Sequence, residues 1–299
     1  MDFTQLQVLI SVGQRGSFSR AATDLNLSQS AVSQSIKSLE NKIGRPLVKR
    51  LGKSVTLTSE GKILAVRGSK ILHDIQETLQ EIQEDENNVS GDIRLGTLVG
   101  LGKSVIGQAL IDLAKKHPGL NIEITLDGPE HLLEKFNRFQ LDAIVIPEKY
   151  LPTNSINFFI KREEIVLVIP KHPSFKIQLP LTLENITTYP VADFHGDNSL
   201  FYQWHKSYFG KEITSRNVKK NITVNAHGPI LYAVQSGLSI AAIPRHVLEK
   251  SYYKNEVDLL DYKYSIGGDN IYLAIQQESF QLKRIKYLEK ELKNRFFHQ

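Results

Sequence analysis

No cysteine occurs in the 299 residues, which excludes disulfides, thiolate catalysis and cysteine-ligated zinc or iron–sulfur centres. No apolar run approaches the roughly 20 residues needed to span a bilayer. The opening "MDFTQLQVLI" lacks the basic-then-apolar order of a secretory signal. A cytoplasmic protein with no membrane partner is the expectation that follows. Enzyme signatures are missing as well: there is no H-E-x-x-H and no G-x-S-x-G, and the nine histidines show no metal-ligand spacing. What is present, 41% hydrophobic and 23% charged residues, is the balance of an ordinary globular chain. Its length suffices for two or three domains.

The net charge of +5 is modest, but its distribution is not. Residues 1–70 hold eleven Lys or Arg against four acids, Asp2, Asp24, Glu40 and Glu60. Residues 71–90 hold no Lys or Arg and six acids. A basic head followed by an acidic segment is the asymmetry expected when one end of a molecule meets a polyanion.

Within that head, the stretch "LNLSQSAVSQSIKSLE" carries five serines and two glutamines yet is spaced like a helix. Serine is an indifferent helix former, so its abundance asks for a reason. Val32, Ile36, Leu39 and Ile43 form one apolar stripe, while Ser30, Ser33, Gln34, Lys37 and Asn41 form another face. Ser28 suits the N-cap of this helix, and Asn26 suits a tight turn at positive φ. Two shorter helices precede it. The first, over roughly residues 2–14, buries Phe3, Leu6, Leu9 and Ile10; the second, over 17–25, has Ala21 and Ala22 at a close crossing, after which Leu27 returns to the core. Helix, turn and helix, with Gln29 and short polar residues opening the last helix, is the arrangement that reads the major groove. Gln can bond base edges bidentately, Ser can contact bases or phosphates, and Arg20 and Lys37 can reach phosphates. "RPLVKRLGKSVTLTSEG" then reads as a β-hairpin wing turning at Gly52, with Arg50 and Lys53 at its tip.

The run "GSFSRAATDLNLSQSAVSQSIKSLENKIGRPLVKR", followed by "VTLTSEG", resembles the DNA-binding head of the LysR-type transcriptional regulators over about sixty residues. Val48 departs from the family's usual Phe. The resemblance implies a winged helix-turn-helix (residues 1–58) contacting double-stranded operator DNA through Arg20, Ser28, Gln29, Ser30, Ser33, Gln34, Lys37, Arg50 and Lys53. It also implies that the long helix over 59–86, with Leu64, Ile71, Ile75, Leu79 and Ile82 on one stripe, is a linker that dimerises. Residues 87–91 would be a hinge.

From Asp92 onward strands and helices alternate. "DIRLGTL", "NIEITL" and "LDAIVI" read as strands, separated by the helices "KSVIGQALIDLAKKH" and "PEHLLEKFNRF". That βαβαβ order predicts an α/β fold with a parallel sheet. A second run comprises strands "EIVLVIP", "YPVADF", "NITVN" and "LSIAAIP", and the chain closes with "NIYLAIQ" and a helix over 279–297. "KKHPGLNIEITL", "LDAIVI" and "VQSGLSIAAIP" resemble the effector domain of the same family, which is similar to the two-lobed periplasmic solute-binding fold. The resemblance implies lobe I at 92–160 and 266–299, and lobe II at 161–265. Ligands in such sheets sit beyond the carboxyl ends of the strands. That points to Thr97, Gly100, Lys103 and Ser104, then Gly128 and Pro129, then Phe194, His195 and Gly196, and finally Asn225 and His227. Several of these loops open helices, whose free N–H groups favour anions, so a small carboxylate effector is expected, with no cofactor or metal. The expected partners are operator DNA, that effector and further copies in a homodimer or homotetramer, with RNA polymerase as a further candidate.

Two other readings are available. "GTLVGLGKS" imitates a phosphate-binding P-loop, but five residues separate Gly96 from Gly102 where the motif has four, and Thr97 occupies the place of the first Gly. A solute receptor for transport would explain the C-terminal part and leave the basic head without a role.

Overall fold

The computed structural model describes residues 1–52, 54–83, 89–172, 175–195, 199–213, 218–260 and 262–297. In the head, helices α1 (Phe3–Arg15), α2 (Phe18–Asp24) and α3 (Gln29–Ile43) close around Val8, Leu9, Val12, Ala21, Val32, Ile36 and Leu39. Each helix is started by its own side-chain acceptor. Asp2 and Gln5 form a capping box on α1, Ser17 caps α2 and Ser28 caps α3. Asn26 takes φ 53° in the turn between α2 and α3, a conformation that Asn tolerates. Three side chains expected in the core lie outside it: Phe3, Leu27 and Ile43 are 57, 38 and 43% exposed. They stand at helix ends or in the turn, where no neighbouring helix covers them, and Val8 and Val12 fill the inner positions of α1 instead.

Strands β1 (Val48–Leu51) and β2 (Ser54–Leu57) pair antiparallel, with Arg50 opposite Val55. Glu40 of α3 fastens this wing by accepting hydrogen bonds from the backbone N–H groups of Leu47 and Val48 at 2.8 and 3.2 Å. Helix α4 (Ser59–Gln83) starts immediately after the wing. Gly61 lets it cross closely, since a Cβ there would lie 2.0 Å from the Leu47 carbonyl oxygen.

The two sides of α4 are unalike. Ile63, Val66, Ile71, Leu79 and Ile82 are exposed, and Leu64 and Ile75 are half-buried. Opposite Ile71, Ile75, Leu79 and Ile82, His73 and Glu77 are buried against the C-terminal domain. The stripe expected to dimerise is thus left open, and the polar face of the same helix packs on its own chain, a contact that the sequence did not suggest. Residues 84–88, part of the expected helix end and hinge, fall outside the described residues, and strand β3 begins already at Ser90.

The C-terminal domain runs β3 (Ser90–Leu98), α5 (Val99–Leu101), a π-helical turn (Gly102–Ile106), α6 (Gly107–Lys116), β4 (Gly119–Asp127), α7 (Pro129–Asn137) and β5 (Ala143–Pro147). Next come β6 (Ser155–Pro170), α8 (Leu183–Ile186), β7 (Val191–Phe194), α9 (Leu200–Phe209), β8 (Lys220–Val224), α10 (His227–Gln235) and β9 (Ala241–Pro244). The chain ends with α11 (Arg245–Glu249), β10 (Val257–Leu259), β11 (Ile266–Gln276) and α12 (Lys283–Phe297). As the βαβαβ order requires, β3 pairs parallel with β4 and with β5. The whole sheet is mixed, because β11 and β6 join it antiparallel in the order β10-β6-β11-β5-β3-β4.

Strand β6 is sixteen residues long, far longer than "EIVLVIP" suggested. Its first half pairs with β11 beside the first core, around Ile93, Leu110, Val145 and Leu288. Its second half pairs with β9 and β10 beside a second core around Trp204, Phe201, Val191 and Ile240. The two lobes thus share β6 and β11, and the pairing of these two strands is interrupted by register shifts between Gly267 and Asn270 and between Ile271 and Tyr272.

Candidate functional site: a basic reading face and an interlobe cleft

On α3, Val32, Ile36 and Leu39 face the core, and Gln29, Ser30, Ser33, Gln34 and Lys37 lie on the outer side. Short side chains on an exposed helix allow its backbone to approach another surface closely. Ser28 is also exposed, but its hydroxyl is already engaged, accepting the Ala31 N–H at 3.1 Å and lying 2.9 Å from the Ser30 hydroxyl. Arg20 is exposed on α2, and the Arg50 guanidinium lies 5.7 Å above the Phe18 ring, which steadies the wing cation. Lys53 lies outside the described residues. Among the described residues, Arg20, Lys37, Lys49 and Arg50 have no acidic partner, whereas Arg15 is paired with Asp24. A face of uncommitted cations around a row of short polar groups is suited to a polyanion with readable edges. The seat of Arg50 on Phe18 and the Glu40 tether are contacts that sequence reading did not find.

Between the lobes lies a cleft of about 1280 Å³. Gly100, Gly128, Pro129, Phe194, Asn225 and His227 line it. Thr97, Lys103, Ser104 and His195 do not, and this corrects their expected place. Thr97 is fully buried in β3, and helix begins at Val99, four residues before the expected start at Lys103, with a π-helical turn over 102–106. That turn puts Lys103 out in solvent and Ser104 beneath His246. His195 is exposed away from the lining. Gly196 lies outside the described residues. The same helical turn removes the phosphate cradle that a P-loop requires.

The end of the cleft is built by two histidines that sequence reading did not connect. His246 places Nδ1 2.7 Å from the Ser104 hydroxyl and Nε2 2.8 Å from Glu163, joining the second lobe to the first. His227 packs edge-on against Phe194 at 4.8 Å. It leaves no room for a side chain at Gly100, where a Cβ would stand 2.9 Å from its Cε1. Burial, assisted by the nearby His246, lowers the His227 pKa to about 4, so the ring is neutral at neutral pH. Deeper in the second lobe, Lys220 pairs with Asp193 at 2.9 Å and lies 4.1 Å from the Tyr202 ring centroid. Asp193 in turn caps α9 through the N–H of Leu200 and the hydroxyl of Ser199. Helices α7 and α10 start at the lining with no side-chain cap, which leaves first-turn N–H groups for an anion.

One further cluster, buried His73, Glu77 and Asp142, has ligand atoms close enough for a cation. Arg284 and Arg94 already occupy both carboxylates, so the charge a metal would bring is supplied by guanidinium groups.

A winged head carrying a cationic reading face, joined by a long helix to a two-lobed domain with a central cleft, defines a ligand-responsive DNA-binding regulator. Residues 3–62 match the model of the bacterial regulatory helix-turn-helix protein, lysR family. Residues 86–296 match the LysR substrate binding domain. The chain belongs to the LysR family of transcriptional regulators. It is 30% identical over 259 residues to the HTH-type transcriptional regulator CzcR of Bacillus cereus, covering 84% of each chain. It is 27% identical over 260 residues to the transcriptional activator CmpR of Synechocystis, covering 86% and 83%. A full-length OxyR variant from Pseudomonas aeruginosa superposes with a TM-score of 0.72 at 19% identity, over 98% of each chain. ArgP from Mycobacterium tuberculosis gives 0.71 at 19% identity, over 98% and 96%. The family consists of transcriptional regulators and not of enzymes.

Proposed function

We propose that this regulator acts in the cytoplasm as a homodimer or homotetramer, reads an operator through Gln29, Ser30, Ser33 and Gln34, and holds its phosphates through Arg20, Lys37, Arg50 and Lys53. The observation that supports this reading is the row of short polar groups on the outer side of α3, flanked by unpaired cations. The open stripe of Ile71, Leu79 and Ile82 on α4 supports self-association, because a contiguous exposed aliphatic face favours a partner. RNA polymerase is a further partner in this reading. The cleft takes a small carboxylate against Asn225, His227 and the start of α10, and its occupancy shifts the population between arrangements that differ in head spacing.

Selection of duplexes from a random pool tests the first part. Wild-type protein yields a consensus, Gln29→Ala relaxes it at particular base pairs, and Arg50→Ala weakens binding to all sequences and lowers the salt slope. An unchanged consensus with Gln29→Ala rejects the assigned reading face. Thermal shifts of the whole chain with a panel of small carboxylates, repeated on Asn225→Ala, test the second part.

A further inference from the structure

The polar side of α4 rests on the first lobe through charges that are almost dry. Arg284, 1% exposed, donates through Nη2 to both carboxylate oxygens of Glu77 at 2.9 Å, and through Nε to the Asp92 carbonyl at 2.7 Å. Arg94 donates through Nη2 to Asp142 at 2.6 Å, and its backbone N–H donates to the same carboxylate at 2.7 Å. His73 lies between these pairs, with Nε2 3.1 Å from the Ser279 hydroxyl and Nδ1 3.4 Å from Arg94.

Three properties make this more than a structural contact. Two guanidinium groups balance two carboxylates, so opening either pair would strand a buried charge; the seat is either made or abandoned. The seat is also incomplete. Arg284 Nη1 and Gln80 Oε1 are both buried with no hydrogen-bond partner among the described residues. Both side chains lie against Gly91: a Cβ there would be 3.4 Å from Arg284 Cδ and 3.7 Å from Gln80 Oε1, ordinary contact distances. Gln80 follows Glu77 by one turn of α4. The side chains that carry the unused donor and the unused acceptor therefore meet at one glycine, and Gln80 lies a turn along α4 from the bond now made. Finally, Asp92 and Arg94 open β3, and Leu98 at its far end is cleft wall. One paired strand, roughly 20 Å long, connects the junction to the cleft.

We propose that this junction is a two-position switch. In one position Arg284 holds Glu77; in the other α4 has slipped by a turn, Arg284 holds Gln80, and Glu77 takes the half-exposed place of Asp74, where water solvates its charge. Movement of β3 at the cleft selects between them. The proposal rests on the cleft being the ligand site, but its test needs neither DNA nor ligand, so the two readings can fail separately.

Because the chain has no cysteine, spin labels can be placed on Thr4→Cys in the head and Lys115→Cys on the first lobe, and distances measured in full-length protein diluted with unlabelled chain. His246→Gln disturbs the cleft by breaking its interlobe contact. It is expected to move population to a second distance displaced by about 5 Å, one helical turn. In a Gln80→Leu background, which leaves every bond of the present seat in place, the same substitution is expected to give no second distance. In a Glu77→Gln background the second distance is expected to dominate from the start. Hydrogen exchange over residues 59–83 verifies that α4 stays helical in each variant. If His246→Gln moves the labels equally in all three backgrounds, or in none, the switch does not exist.

Discussion

The head and the cleft solve the same problem, presenting polar groups to a partner, in opposite ways. In the head one fifteen-residue helix carries both the anchor and the instrument: Val32, Ile36 and Leu39 fix α3 while Gln29, Ser33 and Lys37 stand free on its other side. In the cleft the polar groups arrive from separate parts of the chain and are largely committed to one another, as in Lys220 with Asp193 and His246 with Glu163 and Ser104. A polyanion needs uncommitted charge, because its own charges supply the partners. A small ligand needs a pocket that already holds its shape. The difference in internal pairing between the two regions follows from the two kinds of partner.

That contrast can be broken most forcefully by Leu39→Ala. It should cost about 3 kcal/mol or more through the cavity it opens, and the loss should appear in the urea unfolding of the head while thermal shifts of the effector domain stay unchanged. Next in size is acid. Burial holds the pKa of His73 and His227 at about 4, whereas the unfolded chain takes up these protons near pH 6.5. Stability is therefore fully present above pH 6.5 and falls as the pH drops towards 4, by about 3 kcal/mol for each histidine. Glu77, whose pKa burial raises, binds its proton earlier in the folded state and works in the opposite sense. Urea midpoints measured against pH should show this decline, and His227→Asn should flatten it. Gln29→Ala should cost about 1–3 kcal/mol at the base pairs it contacts and nothing in stability, as competition binding against operator variants would reveal. The smallest expected effect sharpens the local side of the comparison: Asn26→Ala should destabilise the head by about 1 kcal/mol, because φ 53° penalises a Cβ without a compensating side-chain bond. Asn26→Gly should be close to neutral by the same measurement.

The contrast also explains what could be read from sequence. The stripe of α3, the cap at Ser28 and the turn at Asn26 depend on residues within a few positions of each other, so their pattern sits in the order of the letters. Phe3, Leu27 and Ile43 misled because periodicity marks a face but does not say whether a neighbour covers its ends. The first cleft loop misled for a related reason: an extra helical turn starting at Val99 rotates Lys103 and Ser104 away, and nothing local in "LVGLGKS" announces it. His246 and Glu163 are 83 residues apart and Glu77 and Arg284 are 207 apart. Such partners are named only by the topology.

Strands β6 and β11 run through both lobes as one hydrogen-bonded ribbon. Such a ribbon resists folding at a crease but yields to torsion where its pairing skips, beside Gly267 and Gly268. Any motion of one lobe against the other therefore has to twist these two strands where their pairing skips.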